Sequence, residues 1–349
     1  MHEFIGAVHV HSIYSDGTGR VEDIARFAGE TGLDFVLLTD HNTMRARKEG
    51  KEKWYGKTAL MVGVEINDKQ NLNHYLAFGI DDPPTTRIPA REYVKAVKDA
   101  GGIGFLAHPH EKRTSFKEHP AYPWTEWSTT DYTGMEIWNH MSQWAEGLTE
   151  QNKFNYFIHP LRSVKSPPKK TIKEWDKMNM SRKVVGIGGI DAHAHKVNLL
   201  GFYEVEVFAY KILFKSVRTH VLSQKSIFAK NGEKNIEEVK NIIYRSMKEG
   251  NCFVSNYYLG NAKGFLFYGQ DQKKTFNMGD SVKFNSNIKL FVFLPSEKRE
   301  IRFIKNGKKL KKIVGRKAEL NVEEPGIYRV EVYHNKLPWI YSNHIRIDE

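Results

Sequence analysis

Histidine and acidic side chains recur at the ends of apolar segments in the first two thirds of this sequence. Apolar segments of this length are typical of buried strands, and polar groups that end them are typical of the rim of an α/β-barrel active site. The residues placed in this way are His9 and His11 after Ile5–Val8, Asp40 and His41 after Phe35–Thr39, His108 after Ile103–Ala107, and Asp191 and His193 after Lys183–Ile190. Imidazole and carboxylate ligands without thiolate suit Zn, Mn or Fe, so the recurrence predicts a metal centre.

Two further carboxylates lie inside apolar runs. Glu65 lies within Leu60–Ile66, and Glu136 lies within Gly134–Trp138. A buried, unpaired carboxylate is costly, so each must be paired, bind a metal ion or face solvent. A carboxylate can also bridge two metal ions, which an imidazole does not ordinarily do. Glu65 and Glu136 are therefore candidate ligands of the same centre.

Each motif taken alone also fits a structural role. Two histidines two positions apart, such as His9 and His11, share one face of a strand. A single motif of this kind, taken alone, is weak support for a metal site. Asp16 precedes a glycine and fits an Asp-Gly turn, and Asp40 fits a helix cap. His74 fits a position in the site and the start of a strand equally well. The prediction rests on the sum, because six separate apolar segments end in, or contain, such residues.

Short apolar strands alternate with helical patterns through the first two thirds of the chain. This alternation is typical of βα units and predicts an α/β fold with a largely parallel sheet. The predicted strands are Ile5–His9, Phe35–Thr39, Leu60–Ile66, His74–Gly79, Ile103–Ala107, Gly134–Trp138 and Lys183–Ile190. The predicted helices are Arg20–Thr31, Pro89–Ala100 and Asn235–Lys248.

The pattern changes after Gly260, where short β-type runs follow one another. Several alternate apolar and polar residues, and Lys305-Asn306-Gly307-Lys308 is a strong two-residue hairpin signal. These features predict a small antiparallel β-sandwich. We therefore expect two domains, a barrel at residues 1–260 and a β-sandwich at residues 261–349. The last predicted run, Trp339–Ile347, is read as one strand.

The composition is that of an ordinary soluble globular protein, with 40% hydrophobic and 27% charged residues. The opening residues show neither the basic region nor the long apolar core of a signal peptide, and no apolar run reaches membrane-spanning length. There is one cysteine, Cys252, which fits a reducing compartment and is expected to lie in the core. The cytoplasm is the expected location, and no membrane partner is expected.

The net charge is +12, and lysine-rich stretches occur at Lys165–Lys177, Lys225–Lys240 and Lys305–Lys317. Such a balance fits nucleic acid, acidic membranes or small anionic substrates. None of the stretches is interleaved with aromatic residues as a single-strand binding face would require. A solvated lysine-rich surface is the favoured interpretation, and nucleic acid is possible as a partner but not favoured.

The motifs, taken in order, resemble the PHP (polymerase and histidinol phosphatase) superfamily. The residues that carry the resemblance are His9-x-His11, Asp40-His41, Glu65, His108 and Asp191-x-His193, and it covers roughly residues 1–260. The segments Tyr210–Leu222 and Lys248–Val254 are similar to the CehA/McbA-like branch, whose members often add a C-terminal β domain. The resemblance implies a distorted (β/α)7 barrel and two or three divalent metal ions.

The resemblance also implies a set of ligands for each ion. The first ion would be held by His9, His11, Glu65 and Asp191. The second would share Glu65 and be held by His108 and Glu136, with His140 as the alternative to Glu136. The third would be held by Asp16, His41 and His193. Glu65, Asp191 and His193 are the expected catalytic residues.

The implied reaction is attack of an activated water on a phosphoester. Bridged divalent ions would lower the pKa of the water toward neutrality. Arg113 is a candidate phosphate clamp because a guanidinium suits bidentate recognition, and Lys48, Lys196 and His195 are further candidates for substrate binding. A proton for the leaving group would come from His193, His195 or His110, between which the sequence does not choose.

The predicted function is that of a metal-dependent phosphoesterase acting on a small phosphorylated substrate. A hydrolase of carboxyl or carbamate esters or of amides is the alternative within enzymes. A nucleic-acid-binding or proofreading module is the alternative outside enzymes, and its weakness is that no principal ligand is missing here. A third alternative is a protein whose β domain binds a carbohydrate or a partner and whose barrel only supports it.

Overall fold

The structure is a computed structural model, which describes residues 1–113, 120–199, 203–206, 208–229, 235–272 and 274–349. The chain has a mixed α/β fold. The strands of the first part are β1 (His2–Val10), β2 (Phe35–Leu38), β3 (Lys53–Tyr55), β4 (Thr58–Val62), β5 (Val64–Ile66), β6 (Tyr75–Phe78), β7 (Ile103–Leu106), β8 (Gly134–Asn139), β9 (Val185–Gly189), β10 (Lys196–Leu199), β11 (Tyr203–Glu206), β12 (Val217–Ser223) and β13 (Cys252–Asn256). The helices are α1 (Val21–Glu30), α2 (Arg45–Lys48), α3 (Ala90–Asp99), α4 (His140–Gly147), α5 (Lys153–Ile158), α6 (Pro160–Ser163), α7 (Lys169–Ser181), α8 (Tyr210–Leu213) and α9 (Ile236–Glu249).

The remaining strands belong to the C-terminal part, after a single 3₁₀ turn at Tyr257–Leu259. They are β14 (Leu266–Gln270), β15 (Thr275–Asn277), β16 (Ser281–Lys283), β17 (Lys289–Phe293), β18 (Arg299–Lys305), β19 (Lys308–Gly315), β20 (Lys317–Asn321), β21 (Gly326–His334), β22 (Leu337–Ser342) and β23 (Ile345–Asp348). The predicted run at Trp339–Ile347 is therefore two strands. They separate at Asn343. Its side chain accepts a hydrogen bond from the amide of Gly186 and donates one to the carbonyl of Cys252.

The predicted strand Leu60–Ile66 is also two strands, and they belong to different sheets. β4 pairs with β2, whereas β5 pairs with β6. The chain passes between the sheets at Gly63, where a Cβ atom would lie 2.6 Å from the carbonyl oxygen of Ala77. This break matters for the site because it begins the short strand that carries Glu65.

The prediction of a largely parallel sheet is wrong for part of the molecule. β1, β2 and β4 are parallel neighbours, and so are β7, β8 and β9. In contrast, β5, β6 and β7 are antiparallel, as are β1, β12 and β13. The link between β5 and β6 is too short for the crossover that parallel neighbours require, so these two strands form a hairpin.

Both edge strands of the five-stranded sheet β5-β6-β7-β8-β9 meet the large sheet. The amide of Ile190 donates to the carbonyl of Val8 at 3.0 Å, which joins the end of β9 to β1. On the other side, the amide of Gly63 donates to Leu38 at 2.8 Å and the amide of Asn42 donates to Glu65 at 2.9 Å. The carboxyl ends of β1, β2 and β9 and the whole of β5 are thereby brought together.

Amphipathic helices cover these strands. α1 buries Val21, Ile24, Ala25 and Ala28 on one face, in the three-to-four residue spacing of a surface helix. α9 begins at Asn235, whose side chain accepts from the amide of Glu237, and ends at Gly250, whose φ of 83° is the left-handed conformation common after a helix. The predicted helix at Asn235–Lys248 is confirmed.

The C-terminal strands form two layers around a hydrophobic cluster that also includes Leu222 of β12 and Phe253 of β13. One layer is the four-stranded sheet β15-β14-β17-β20, and the other continues the large sheet of the first part through pairing of β22 with β13. Asn306 and Gly307 both have positive φ, as the predicted hairpin turn requires. Among the described residues, no helix combines the length and apolar character needed to cross a membrane.

Candidate metal centre

Three of the candidate ligands lie on left-handed backbone. His9 has a φ of 67°, His108 a φ of 27° and Asp191 a φ of 55°. Side chains other than glycine rarely adopt this region, and it concentrates at functional sites where the surrounding fold holds the strain. At His9 the pairing of β1 with β2 also shifts register, between Val8 and Val10. His9 is thus turned into the site by a bulge, not by simple strand alternation.

Glu65 lies at the centre of the cluster and is almost fully buried. Imidazole nitrogens surround both of its oxygens. Oε2 lies 3.0 Å from His9 Nε2, 3.1 Å from His11 Nε2 and 3.4 Å from His41 Nδ1. Oε1 lies 2.8 Å from His74 Nδ1 and 3.4 Å from His108 Nε2. A single carboxylate in this position can serve ions on both sides.

Asp191 lies beside the two histidines of the first strand. Its Oδ1 is 3.4 Å from His9 Nε2 and 3.5 Å from His11 Nε2. Potential ligand atoms of His9, His11 and Asp191 lie within 4.8 Å of one another, as do those of His9, Glu65 and His108. The structure therefore brings together residues that are more than 180 positions apart in the sequence.

Asp16 forms the outer edge of the cluster and its side chain is half exposed. Its carboxylate lies 3.3 Å from His193 Nε2, 3.5 Å from His11 Nδ1 and 3.7 Å from His41 Nε2. Ligand atoms of these four residues also lie within 4.8 Å of one another. The sequence-predicted third group is thus assembled, with His11 as an additional member.

Asp40 is hydrogen-bonded to the loop that carries Asp16. Its carboxylate accepts from the amide of Ser12 at 2.7 Å, from the hydroxyl of Ser12 at 2.8 Å and from the hydroxyl of Ser15 at 2.8 Å. These hydrogen bonds occupy both of its oxygens. Asp40 therefore positions the loop.

Charges within the cluster shift the pKa values of its members. Burial alone would raise the pKa of the Glu65 carboxyl, but the neighbouring imidazoles, His9 first, hold it well below its usual range. The same opposition of burial and imidazoles lowers the pKa of Asp191. Burial works against protonation of His11, yet Asp191 and Glu65 raise its pKa to about 10. The carboxylates are therefore anionic and draw positive charge into the site.

Burial dominates at His41, whose pKa is lowered to about 4. A neutral imidazole is the form that binds a metal ion. His11 Nε2 and His41 Nδ1 are buried and have no hydrogen-bond partner of acceptable geometry among the described residues. Buried polar atoms of this kind call for a partner. Nitrogen atoms without partners and anionic oxygens facing one space fit a divalent transition metal.

Glu136 lies behind His9 and is outside the four groups of possible ligands that the described residues form. Its Oε1 accepts from His9 Nδ1 at 2.8 Å, on the side of the ring away from Glu65. Its Oε2 accepts from the amide of His108 and from Asn139, both at 2.8 Å. With both oxygens engaged, Glu136 has the geometry of a carboxylate that orients a metal-binding histidine.

His140, the alternative to Glu136, is also outside those groups. It is fully buried at the start of α4, and neither ring nitrogen has a hydrogen-bond partner among the described residues. Burial lowers its pKa to about 3, so it is neutral. Its ring lies edge-on to Phe208, at 6.5 Å between centroids.

Two residues at the site were left open or missed by the sequence analysis. His74 joins His41 and Glu65 in one of the groups of possible ligands, and its ring stacks on Tyr122 at 5.1 Å. Glu111 is buried with its Oε2 3.8 Å from His108 Nδ1. The only available signal for Glu111 was a charged residue shortly after a histidine, which is too common to identify a site.

A cavity of about 430 Å³ opens over the cluster. Arg113 and His195, two of the candidates for substrate binding, line it, and so does His193. Lys48 does not line the described wall of this cavity and instead pairs with Asp82 at 2.5 Å. Lys196 begins β10, and its side chain lies outside the described residues.

Of the three candidate proton donors, two lie on the cavity. His110 is elsewhere, stacked on Trp127 at 4.8 Å between centroids and 3.1 Å from the hydroxyl of Thr171. Burial lowers its pKa to about 4. This placement leaves His193 and His195 as the candidates that reach the cavity.

A second arrangement of catalytic residue types lies outside the cavity. Ser255 Oγ is 2.8 Å from His220 Nε2, and His220 Nδ1 is 2.7 Å from Glu3 Oε1. Ser255 and His220 are fully buried on adjacent strands, with Phe253 stacked on the imidazole at 4.3 Å. A buried hydroxyl is out of reach of a substrate, so this line of hydrogen bonds joins strands.

Comparison with protein families identifies one domain. Residues 7–160 match the family model of the PHP domain. The match covers less than half of the chain and includes β1, β5 and β8. This part of the chain is therefore similar to PHP domains.

Individual relatives are distant. An uncharacterized protein of Methanocaldococcus jannaschii is 25% identical over 116 residues, which are 30% of this chain and 66% of that protein. The chain thus spans slightly less than two thirds of that relative. A two-domain protein from Bacteroides vulgatus containing a predicted PHP-like metal-dependent phosphoesterase has a TM-score of 0.47 at 13% identity, with 98% of this chain and 95% of the other covered. PsfC from Pseudomonas syringae has a TM-score of 0.38 at 12% identity, with 70% and 90% covered.

Proposed function

We propose that this protein is a metal-dependent phosphoesterase that hydrolyses a small phosphorylated substrate. The observation that carries the proposal is the setting of Glu65, a buried carboxylate whose ion-pair partners among the described residues are all imidazoles. The carboxylates of Glu65, Asp191 and Asp16 converge there, and none of them pairs with a lysine or arginine in the described part of the chain. The similarity of residues 7–160 to PHP domains supports the same function.

The ligand sets that the resemblance implies are supported in part by the groups of possible ligands. We assign the first ion to His9, His11, Glu65 and Asp191, and the third to Asp16, His41 and His193. For the second ion we retain Glu65 and His108. The structure supports a positioning role for Glu136 in place of direct ligation, because its oxygens are used by His9, His108 and Asn139.

Bound divalent ions of Zn, Mn or Fe type would lower the pKa of a water and neutralise phosphate oxygens. In the reaction, the oxygen of water bonds to phosphorus, the bond from phosphorus to the ester oxygen breaks, and the alcohol and phosphate leave. His195 can deliver a proton to the departing oxygen, because it lines the cavity and is not one of the assigned metal ligands.

Arg113 is placed to bind the anionic end of the substrate. Its Nε and Nη2 donate to Glu111 Oε1 at 3.0 and 2.8 Å, so its position is set before substrate arrives. Glu111 is buried and also accepts from the hydroxyl of Ser142 at 2.9 Å. A guanidinium held in this way favours a phosphate over a neutral ester.

The finer assignments of fold are part of the proposal. The hydrogen bonds that join β9 to β1 and β2 to β5 support a closed, distorted (β/α)7 barrel. We retain residues 1–260 as the barrel and 261–349 as a β-sandwich, and we place the chain in the CehA/McbA-like branch on its sequence motifs. A cytoplasmic location stays a prediction from the sequence.

Removal and return of metal is the test of the proposed function. The protein is stripped with a chelator, and hydrolysis of p-nitrophenyl phosphate, bis-p-nitrophenyl phosphate and p-nitrophenyl acetate is measured before and after addition of Zn, Mn or Fe(II). We expect the stripped protein to be inactive and one metal to restore phosphoester hydrolysis. Restored hydrolysis of the acetate alone would instead identify a carboxyl esterase, and inactivity toward all three with every metal would contradict the proposal.

A further inference from the structure

The cavity over the metal centre has two unlike sides. One side is the cluster of carboxylates and imidazoles, with Arg113 beside it. The other side is apolar over its described extent and is formed by Met141, Trp144, Leu148, Phe157 and Phe208. We call these five residues the apolar wall. A phosphate and metal ions account for the first side only.

The apolar wall is a packed aromatic cluster centred on Trp144. The ring of Trp144 lies 4.5 Å from that of Phe208 and 5.2 Å from that of Phe157, both edge-on. Its indole nitrogen donates to the carbonyl of Tyr156 at 3.1 Å. The polar atom of Trp144 is therefore satisfied within the protein, and the wall offers the cavity only carbon and sulfur surface.

The apolar wall is joined directly to the metal centre. Asn139 begins α4 by accepting from the amide of Ser142 at 2.9 Å, and its side-chain nitrogen donates to Glu136 at 2.8 Å. The hydroxyl of Ser142 donates to Glu111, which also holds Arg113. The same hydrogen bonds thus position the phosphate clamp, the histidine at the metal centre and the helix that carries Trp144.

We propose that the cavity accepts phosphoesters whose organic group carries a flat, apolar ring, and that the apolar wall selects for that ring. The proposal rests on the proposed function and adds the substrate class. A ring has a large apolar surface and packs edge-on or offset against other rings. A sugar or a nucleobase would lose hydrogen bonds to water against this wall without replacing them, which makes them poorer occupants.

Two esters that differ only in the ring test the selection. Ethyl phosphate and 2-phenylethyl phosphate both release a primary alcohol, so their intrinsic reactivity at phosphorus is similar. We expect kcat/KM of the metal-loaded enzyme to be at least about tenfold higher for the phenylethyl ester, from burial of the ring. Equal kcat/KM values would overturn the inference and leave the proposed phosphoesterase intact.

Phe157 and Phe154 provide a matched pair of variants on α5. Phe157 is partly buried in the apolar wall, whereas Phe154 is 74% exposed and outside the cavity lining. Phe157→Ala should reduce the phenylethyl-to-ethyl preference to below about threefold. Phe154→Ala should leave the preference unchanged. Met141→Ala, at another partly exposed position of the wall, replaces Phe157→Ala if that variant does not fold.

Binding of non-hydrolysable analogues separates the inference from the proposed function. Calorimetric titration with 2-phenylethylphosphonate and ethylphosphonate should show at least about tenfold tighter binding of the phenyl compound, with a loss of that difference in Phe157→Ala. Such a preference without hydrolysis of either ester would support the apolar wall as a ring site while contradicting phosphoesterase activity. Equal binding of the two phosphonates would overturn the inference, whatever the activity.

Discussion

Two buried clusters of ionisable side chains in this molecule are composed differently. At the candidate metal centre, Glu65 and Asp191 are surrounded by imidazoles. Between α7 and the C-terminal strands, the carboxylate of Asp176 accepts two hydrogen bonds from Arg329, at 2.6 and 2.8 Å, and lies 2.9 Å from His344 Nε2. Among the described residues, the second cluster contains a permanent cation and the first does not.

This difference distinguishes a structural cluster from a site that needs a ligand. A buried carboxylate is tolerated only when positive charge and hydrogen bonds compensate it. Arg329 supplies both to Asp176, and its remaining nitrogen donates to Glu331 at 2.8 Å. The imidazoles around Glu65 supply positive charge only while they hold protons. Bound metal ions would provide the same compensation in place of those protons, because an imidazole that binds a metal ion is neutral.

The strongest test of the comparison is Glu65→Gln. The amide has almost the same volume but no negative charge, so it cannot compensate two ions. We expect a loss of activity of at least roughly 1000-fold, with metal content reduced in elemental analysis and the melting temperature of the metal-free protein nearly unchanged.

Glu146→Gln is the control for Glu65→Gln, because Glu146 is exposed on α4 and should change neither activity nor metal content. Near-normal turnover by Glu65→Gln would show that the cluster around Glu65 is as structural as the one around Asp176.

The largest effect on stability is expected from Arg329→Met. The change leaves Asp176 buried with a reduced set of partners, and breaking a buried ion pair on one side costs about 3–5 kcal/mol of unfolding free energy. Urea unfolding measures this loss, and kcat of the folded enzyme should be unaltered.

Lys289→Met is the matched removal of a cation at the surface, where Lys289 and Glu319 form a pair with both side chains about half exposed. It should cost less than about 1 kcal/mol. A loss of metal-dependent activity in the Arg329 variant at full folding would mean that the two clusters are coupled.

A smaller effect on activity is expected from Glu136→Gln. This variant distinguishes a Glu136 that orients His9 from a Glu136 that binds a metal ion directly. If Glu136 orients His9 through Nδ1, the variant should bind metal about 10–100-fold more weakly and regain activity when metal is in excess. If Glu136 is itself a ligand, one ion should be missing at every metal concentration. Titration of activity and of bound metal against added ion distinguishes these outcomes.

Acid should weaken the structural cluster by a moderate amount. Arg329 and His344 outweigh burial and lower the pKa of Asp176, while burial lowers the pKa of His344. Both groups therefore bind protons more readily in the unfolded chain. The stability due to His344 should begin to fall below about pH 6.5, and that due to Asp176 below about pH 4, as pH decreases.

Urea unfolding of the wild type and of Asp176→Asn across this range measures the acid effect. The difference in unfolding free energy between the two proteins should shrink as the pH approaches 3. A difference that grows with acidification would contradict the assigned direction of the pKa shift.

Most of the candidate metal ligands were identified from short stretches of sequence. A histidine or acid that ends a buried strand is unusual enough to be noticed where it recurs, and His9, His11, His108 and Asp191 were all found in this way. Helix α9 was likewise predicted, as the helix Asn235–Lys248. These features depend on neighbours within a few residues, which a sequence displays directly.

Other features depend on packing between distant segments. The sequence around Gly63 does not show that the chain passes from one sheet to another there. The position requires a glycine because the carbonyl of Ala77, on a neighbouring strand, leaves no room for a Cβ atom. The antiparallel hairpin of β5 and β6 follows from that break. The apolar wall is similarly invisible, since Trp144 and Phe208 meet only in the folded chain.

The sequence by itself determined which residue types would meet at the strand ends and that they suit a divalent metal. Only the tertiary structure decided how each atom is used. It placed Glu136 against Nδ1 of His9, 127 positions away. It also paired Asp176 with the guanidinium of Arg329, whereas Glu65 is surrounded by imidazoles. The physical reason is that the cost of burying a carboxylate is local, whereas the group that compensates it is chosen by long-range packing.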